Sequence, residues 1–483
     1  MPTAAGTFRA KPLVASYYKR HAVQFMPTAP TDVPSPAPAK RDAYAAFRSP
    51  AYRSYAISSF VANLGRQMLG VALGYEIFHR THSATALGLV GLMGALPIIL
   101  LSIPAGIAAD RLNRKAIILV TQLLSALTSV GLTVLALEHV AVPALAPLVA
   151  GTHALYWLAA LFGEKSDVVF EAAQPLMYGL LFINGISRAF GWAARGALFP
   201  NLVPRSALSN AVMWNSSNFE LTCVIGPALG GLAIAQINIP SVYALDAAFA
   251  LIGFLFILPI HAPQEIAESH PHPLQDLSTG LRFVFENKII LATITLDLFA
   301  VLLGGAIALL PIFADHILGV GAVGLGWLRA APSVGAVAMA FILAHRPPLR
   351  QAGNAMLLAV AGFGAATIVF GMSRNYALSF LALACTGVCD NVSVVVRHTL
   401  VQLLTPDAMR GRVSAVNNIF IGSSNEVGAF ESGITAARFG PVLSVVGGGI
   451  GTVLVVLATA WKWPQLRTIG PLQSPEKSLG AAD

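Results

Sequence analysis

Residues 83–137 read SATALGLVGLMGALPIILLSIPAGIAADRLNRKAIILVTQLLSALTSVGLTVLAL. The two apolar runs, 83–108 and 116–137, each supply the roughly 20 residues a helix needs to cross a hydrocarbon core about 30 Å thick. Between them one short turn concentrates Asp110, Arg111, Arg114 and Lys115. The stretch therefore reads as two membrane-crossing helices joined by a charged hairpin. The same criterion predicts ten further spans, near 53–78, 176–199, 208–234, 240–260, 289–314, 323–344, 354–372, 376–397, 413–436 and 441–463. The expected fold class is an all-α membrane protein with twelve transmembrane helices.

Composition points the same way. Of 483 residues, 56% are hydrophobic and 11% charged, and the mean hydropathy is +0.70. A soluble domain carries about 25% charged residues, so a soluble enzyme, a disordered chain and a nucleic-acid binder are excluded. Three cysteines, Cys223, Cys385 and Cys389, cannot make a four-thiolate zinc site. No P-loop, H-E-x-x-H or G-x-S-x-G occurs. Neither a cofactor, a metal nor enzymatic activity is expected.

Positive charge sets the orientation. Arg111, Arg114, Lys115 and Arg205 are expected in the cytoplasm, with both termini. Between those clusters the chain must cross an even number of times, which 116–137 and 176–199 already do. The apolar stretch 139–175 is therefore expected to be an external insert with a surface or re-entrant helix. A true thirteenth span is the alternative. The expected organisation is a disordered cytoplasmic tail (1–47), a first half (48–260), a polar cytoplasmic linker (261–288), a second half (289–463) and a cytoplasmic tail (464–483).

The chain also repeats itself. At an offset of 235 residues Gly91 aligns with Gly326, Pro97 with Pro332 and Arg111 with Arg346; further on, at 202, Asn215 aligns with Asn417, Gly226 with Gly428 and Gly231 with Gly433. The fall in offset gives the first half about 33 extra residues, close to the length of the insert. Two parallel repeats of six helices follow, a plan that places a binding site at the repeat interface.

Gly106-Ile-Ala-Ala-Asp110-Arg111-Leu-Asn-Arg114-Lys115 resembles the signature loop of the major facilitator superfamily, G-x-x-x-D-R-x-x-R-[KR]. In that reading Gly106 allows close helix packing, and Asp110 caps a helix or clasps a neighbouring basic residue at the cytoplasmic gate. Asn113, in place of the usual Gly, would adopt the left-handed conformation it tolerates. Gly226-Pro227-Ala228-Leu229-Gly230-Gly231 resembles the core of the superfamily's antiporter motif, although Thr222 stands where that motif has Gly. Residues 296–336 and 392–433 resemble the bacterial branch that includes the enterobactin exporter. The resemblance covers about residues 44–463 without the insert. It implies a proton-motive-force-driven exporter in the bacterial inner membrane that rocks its two halves, with spans one, four, seven and ten lining the cavity.

An ionisable group at bilayer depth is a functional candidate by default. Arg66, Arg188, Glu220 and Glu426 fall near mid-depth, and Asp297 and Asp390 about a third of the way from the cytoplasmic end. Arg188 and Asp390 occupy equivalent repeat positions, so opposite charges are expected to face each other across one cavity. Asp390, with Asp297 as rival and Glu220 and Glu426 as further candidates, is read as the proton-coupling group, because burial and a nearby guanidinium act oppositely on a carboxylate. A static buried ion pair is the alternative. Arg66 and Arg188 are read as holding an anionic or catechol-bearing substrate; Arg66 could equally pair with Glu220 or Glu426. Asn215 and Asn417 are expected along a wet pathway, and Glu76 is expected to face water near the outer end.

The sequence thus predicts a proton antiporter, with a siderophore or a hydrophobic toxic compound (multidrug efflux) as cargo. Its expected partners are the small molecule, protons and the lipid bilayer, with no nucleic acid and a monomeric state. The alternatives are a proton- or sodium-coupled nutrient importer and a non-transporting membrane sensor.

Overall fold

Each apolar run of the sequence becomes a helix in the computed structural model, which describes residues 42–137, 145–164, 168–261, 273–346, 351–406 and 409–470. In order they are α1 (Pro50–Thr81), α2 (Ala84–Arg111), α3 (Arg114–Ala136), α4 (Ala146–Leu161), α5 (Ala173–Leu198), α6 (Leu208–Gln236), α7 (Ile239–Ile257), α8 (Pro273–Glu286), α9 (Lys288–Leu303), α10 (Gly321–His345), α11 (Ala352–Met372), α12 (Tyr376–Leu404), α13 (Arg410–Phe439) and α14 (Pro441–Lys462). Short polar residues start them. Ser49, Ser83, Asn113, Asn287 and Asn375 each accept a hydrogen bond from a first-turn N–H of α1, α2, α3, α9 and α12. Asn113 is an extended N-cap at φ −65°, not the left-handed residue expected, and it supplies the cap that Asp110 was expected to give.

Twelve of these helices match the twelve expected spans. Nine are long and apolar enough to cross a membrane on composition alone. The other three, α1, α5 and α13, are 32, 26 and 30 residues long. They are more polar because they carry Arg66, Arg188 and Glu426. The seventh span breaks at Gly304–Gly305, then continues through a 3-10 turn (Ala306–Leu309) and a π-turn (Phe313–Ile317).

Within each half the helices pack on one another: α1 on α6 and α7, α3 on α5 and α7, α2 on α5, then α11 on α12 and α14, and α10 on α12. Two extended crossings join the halves, α2 with α13 and α6 with α10. Both are made close by glycine. A Cβ on Gly433 would lie 2.5 Å from the Gly88 Cα, and one on Gly326 3.1 Å from the Gly231 Cα.

The apolar core is asymmetric along the helix axes. At the end away from Arg111, Arg114 and Lys115, one buried cluster runs from Leu73, Ile77 and Leu87 of the first half to Phe313, Leu328 and Phe370 of the second. At the basic end the cluster around Tyr52, Ile118 and Ile257 belongs to the first half, and those around Leu296 and Leu400 and around Val284 and Val413 to the second half and the linker helix.

Several expected boundaries shift. Residues 44–47 do not belong to a tail: Ala46 is fully buried, and its N–H donates to Asn210 Oδ1 at 3.0 Å. Leu466 is likewise fully buried, so the C-terminal tail starts later than residue 464. Residues 1–41 and 471–483 lie outside the described residues, as do 262–272 of the linker. The rest of that linker is not merely polar: α8 lays Leu281 and Val284 against α13, with a Cβ on Gly280 meeting the Arg412 backbone. In the insert, α4 has 16 residues, roughly 24 Å of helix, too short to span.

Candidate functional site

A cavity of about 540 Å3 lies between the two halves. Spans one, four, seven and ten line it as expected, but α2, α6, α10, α11 and α13 contribute as well. The helix break at Gly304–Gly305 forms part of its wall. Six charged side chains reach it: Arg66, Arg188 and Glu220 from the first half, and Arg329, Asp390 and Glu426 from the second.

They are not paired as the repeat suggested. Arg188 Nη2 donates to Glu426 Oε1 at 2.9 Å, not to Asp390. This α5–α13 pair bridges the halves, and Gly94 leaves it room: a Cβ there would lie 3.2 Å from Glu426 Oε2. Arg329, to which the sequence reading gave no role, donates to the Gly70 carbonyl at 3.1 Å across the halves. Among the described residues Arg66, Glu220 and Asp390 have neither a hydrogen bond nor an ion pair through their side chains. Arg66 thus pairs with neither Glu220 nor Glu426.

The profile of the Major Facilitator Superfamily matches residues 55–429, most of the chain. The chain belongs to the Major Facilitator Superfamily. It is 28% identical over 407 residues to the enterobactin exporter EntS of Shigella boydii serotype 18 and of Escherichia coli O81, covering 84% of this chain and 90% of each relative. Solved structures share the fold at low identity. The xylose transporter XylE from E. coli aligns with a TM-score of 0.62 and 13% identity over 88% of this chain and 97% of that one. A bacterial homologue of the human lysosomal transporter Spinster gives 0.63 and 14% over 89% and 99%. The chain is therefore a multi-pass membrane transporter of this superfamily, and its neighbours include proteins described as symporters as well as exporters.

Against that fold the remaining expected site residues sort clearly. Asp297 does not reach the cavity: it is buried and ion-paired with Arg397 of α12, so the face of α9 that carries it packs inside the second half. Asn215 and Asn417 also miss the cavity wall, lying nearer the basic end than Glu220 and Glu426, while Asn425 does line it. The Asn418 side chain lies outside the described residues. Glu76 does not face water. It is 2% exposed, accepts from the Tyr243 hydroxyl at 2.5 Å and pairs with Arg80 at 2.8 Å.

In the superfamily's signature loop the expected clasp is absent. Asp110 and Arg111 are exposed and make no hydrogen bond or ion pair among the described residues. No atom lies within 4 Å of a Cβ placed on Gly106, so no helix packs closely there. Arg114 and Lys115 instead tie the loop to its own half, donating to the Ala197 carbonyl at 3.1 Å and the Leu258 carbonyl at 2.6 Å. In the antiporter-like motif Pro227 sits inside α6. Gly226 and Gly230 abut Gln67 and Met68 of α1, and Gly231 abuts the Ala322 backbone of α10.

Two groups escaped the sequence reading besides Arg329. Asp246, a lone acid in the apolar run of α7, is 6% exposed and accepts from Ser129 Oγ at 2.5 Å. Gln67 Nε2 donates to Cys223 Sγ at 2.7 Å on the cavity wall. The isolated acid was legible as a charge inside a span. The glutamine was not, because an amide beside a thiol leaves no mark in sequence spacing.

Proposed function

We propose that this transporter is a proton-coupled exporter of small amphipathic molecules in the bacterial inner membrane, working by alternating access with both termini in the cytoplasm. The observation that carries the reading is the placement of ionisable groups from both halves around one cavity, while the apolar core joins the halves only at the far end. The Lys and Arg bias assigns the basic end to the cytoplasm. The conformation is then inward-open, with the outer gate shut by the α2–α13 and α6–α10 crossings. The unclasped Asp110 and Arg111 fit that state, since the gate they guard is open.

Export is favoured over import by the G-P-x-x-G-G motif of α6 and by similarity to an exporter along most of the chain. Asp390 is the coupling group, with Glu220 as its partner, while its rival Asp297 is engaged by Arg397. One carboxylate comes from each half and neither has a counter-ion, so a proton shared between them relieves their repulsion. Rocking the halves changes their separation and hence the proton's hold. Arg66 and Arg188 receive the anionic or phenolic part of the cargo. Asp297 and Arg397 form a structural pair, Asn215 faces the inner approach, and Asn417 is buried and lines no pathway.

The test is transport in proteoliposomes under an imposed proton gradient, with enterobactin and the cationic dye ethidium as probes. Gradient-driven exchange of a probe against protons in the wild type, abolished by Asp390→Asn, is expected. Wild-type coupling in that variant would remove Asp390 from the mechanism, and accumulation in the direction of proton entry would show an importer.

A further inference from the structure

Charge bookkeeping inside the cavity restricts the cargo more than its volume does. Arg188 is balanced by Glu426 at 2.9 Å; Arg329 donates to the neutral Gly70 carbonyl and keeps its charge, within electrostatic reach of that already paired Glu426. Three groups are left without a partner, and they fall into two places. Arg66 lies within electrostatic reach of Arg188, Arg195, the buried Asp246 and Cys223. Asp390 has Glu220 as its charged neighbour. Both carboxylates are partly exposed to the cavity, and Phe219, next to Glu220, lines it too. The unpartnered site therefore has one cationic pole and one doubly acidic pole.

A purely anionic cargo would satisfy Arg66 but leave the two unpaired carboxylates unmet and add a net charge to a cavity whose three guanidiniums and three carboxylates balance. A purely cationic one would satisfy the acids and leave Arg66 bare. In a low-dielectric cavity either mismatch is costly. We propose that the cargo is amphoteric: a cationic nitrogen lodges between Glu220 and Asp390, beside the face of Phe219, and an anionic or phenolic group meets Arg66. Aromatic faces attract cations, which adds to the acidic pole. The two poles also give the exchange its stoichiometric logic, because the cationic nitrogen and the coupling proton occupy the same carboxylates and cannot both be held there. This deepens the transport reading and rests on it.

The charged and titratable groups facing the acidic pole are Arg329 of α10, Cys223 of α6 and Glu426 of α13, with Arg66 and Arg188 across the cavity. Protonating either carboxylate removes the charge that a cationic nitrogen needs, whereas the guanidiniums stay charged. Acidification should thus weaken a ligand that needs the acidic pole.

The test uses one scaffold with its charges removed singly. Ciprofloxacin carries a carboxylate and a secondary ammonium; its N-acetyl derivative lacks the cation, and its methyl ester lacks the anion. Equilibrium binding of each, read by ligand fluorescence, is measured on the full chain in lipid nanodiscs without a gradient. The parent should bind at least about tenfold tighter than either derivative, since each derivative loses one charge-assisted contact. Binding of the methyl ester, which has no carboxylate of its own to protonate, should weaken on mild acidification. Glu220→Gln and Asp390→Asn should weaken the parent and the ester but not the N-acetyl derivative; Arg66→Gln should weaken the parent and the N-acetyl derivative but not the ester. Unfolding midpoints confirm that the amide variants fold, and the comparison of the three ligands on the wild type needs no variant.

Binding of the N-acetyl derivative as tight as that of the parent, or no binding of any of the three, overturns the proposal. The measurement is made at zero gradient, so such a result with intact gradient-driven flux of enterobactin or ethidium leaves the transport reading standing. Loss of that flux with the binding pattern intact overturns the transport reading alone.

Discussion

Arg397 and Asp297 form a pair with both side chains buried, whereas Arg188 and Glu426 are 36% and 23% exposed at the cavity. The difference in burial predicts different consequences. Removing one partner of the first pair leaves an uncompensated charge inside the second half. Asp297→Asn or Arg397→Met alone should therefore destabilise by about 3–5 kcal/mol, with much of the loss recovered when both are replaced by apolar residues. A double-mutant cycle of denaturant unfolding in detergent checks this; additive losses would mean the two side chains act separately. Glu426→Gln should cost under about 1 kcal/mol, because solvent already screens that pair. Its effect should appear in transport, since it releases an α5–α13 bridge between the halves. At this scale the sequence was half legible. A charge inside an apolar run is visible as such, and Arg66, Arg188, Glu220, Asp390 and Glu426 all reach the cavity. Which partner each takes depends on helix rotation, which one-dimensional spacing does not fix; this is why Asp297 turned inward and Arg188 chose Glu426.

Among elements, the two crossings between the halves are repeat-related. Gly91 and Gly326, aligned by sequence alone, sit in α2 and α10 against α13 and α6, and the aligned Gly231 and Gly433 sit on the opposite sides of the same crossings. Pro97 abuts Gly185 in the first half, and Pro332 abuts Gly387 in the second. The internal repeat was readable because close backbone contact admits only glycine at such points. Gly231→Val inserts bulk where the α10 backbone passes. It should cost about 1–3 kcal/mol in the closed crossing and shift the protein towards an open far end. Alkylation of a single cysteine placed at Ala322, 7% exposed where α10 meets Gly231, reports the shift as faster labelling; unchanged labelling would mean the crossing does not gate. The insert adds a device of its own. Glu164 accepts from Ser83 Oγ at 2.7 Å and from the Ala84 N–H at 2.6 Å, capping α2, and Phe162 meets the Phe430 ring of α13 at 6.1 Å. Glu164→Ala should lower stability by about 1 kcal/mol, read as a lower unfolding midpoint. The sequence implied the insert through parity and repeat offset. It did not imply α8, because Leu281, Phe283 and Val284 were read within a polar linker rather than as an amphipathic face.

For the whole molecule, the apolar core joins the halves at one end and separates into half-specific clusters at the other. Fold class, span count and repeat were legible in the sequence because hydrocarbon thickness and backbone satisfaction leave few alternatives. The conformational state was not, since one sequence must serve both the inward-open and the outward-open arrangement. The central claim, that the halves rock about the charged cavity, is tested on the single helix pair α6 and α10. Spin labels at Ile237 and Val323 report the far end, and labels at Val212 and Phe341 the basic end; all four side chains are exposed. Pulsed electron resonance distances are measured in liposomes, with and without a proton gradient and enterobactin. Alternating access predicts reciprocal changes, with the basic-end pair shortening as the far-end pair lengthens. Two distances that stay fixed while transport proceeds, or that change in the same sense, would contradict it.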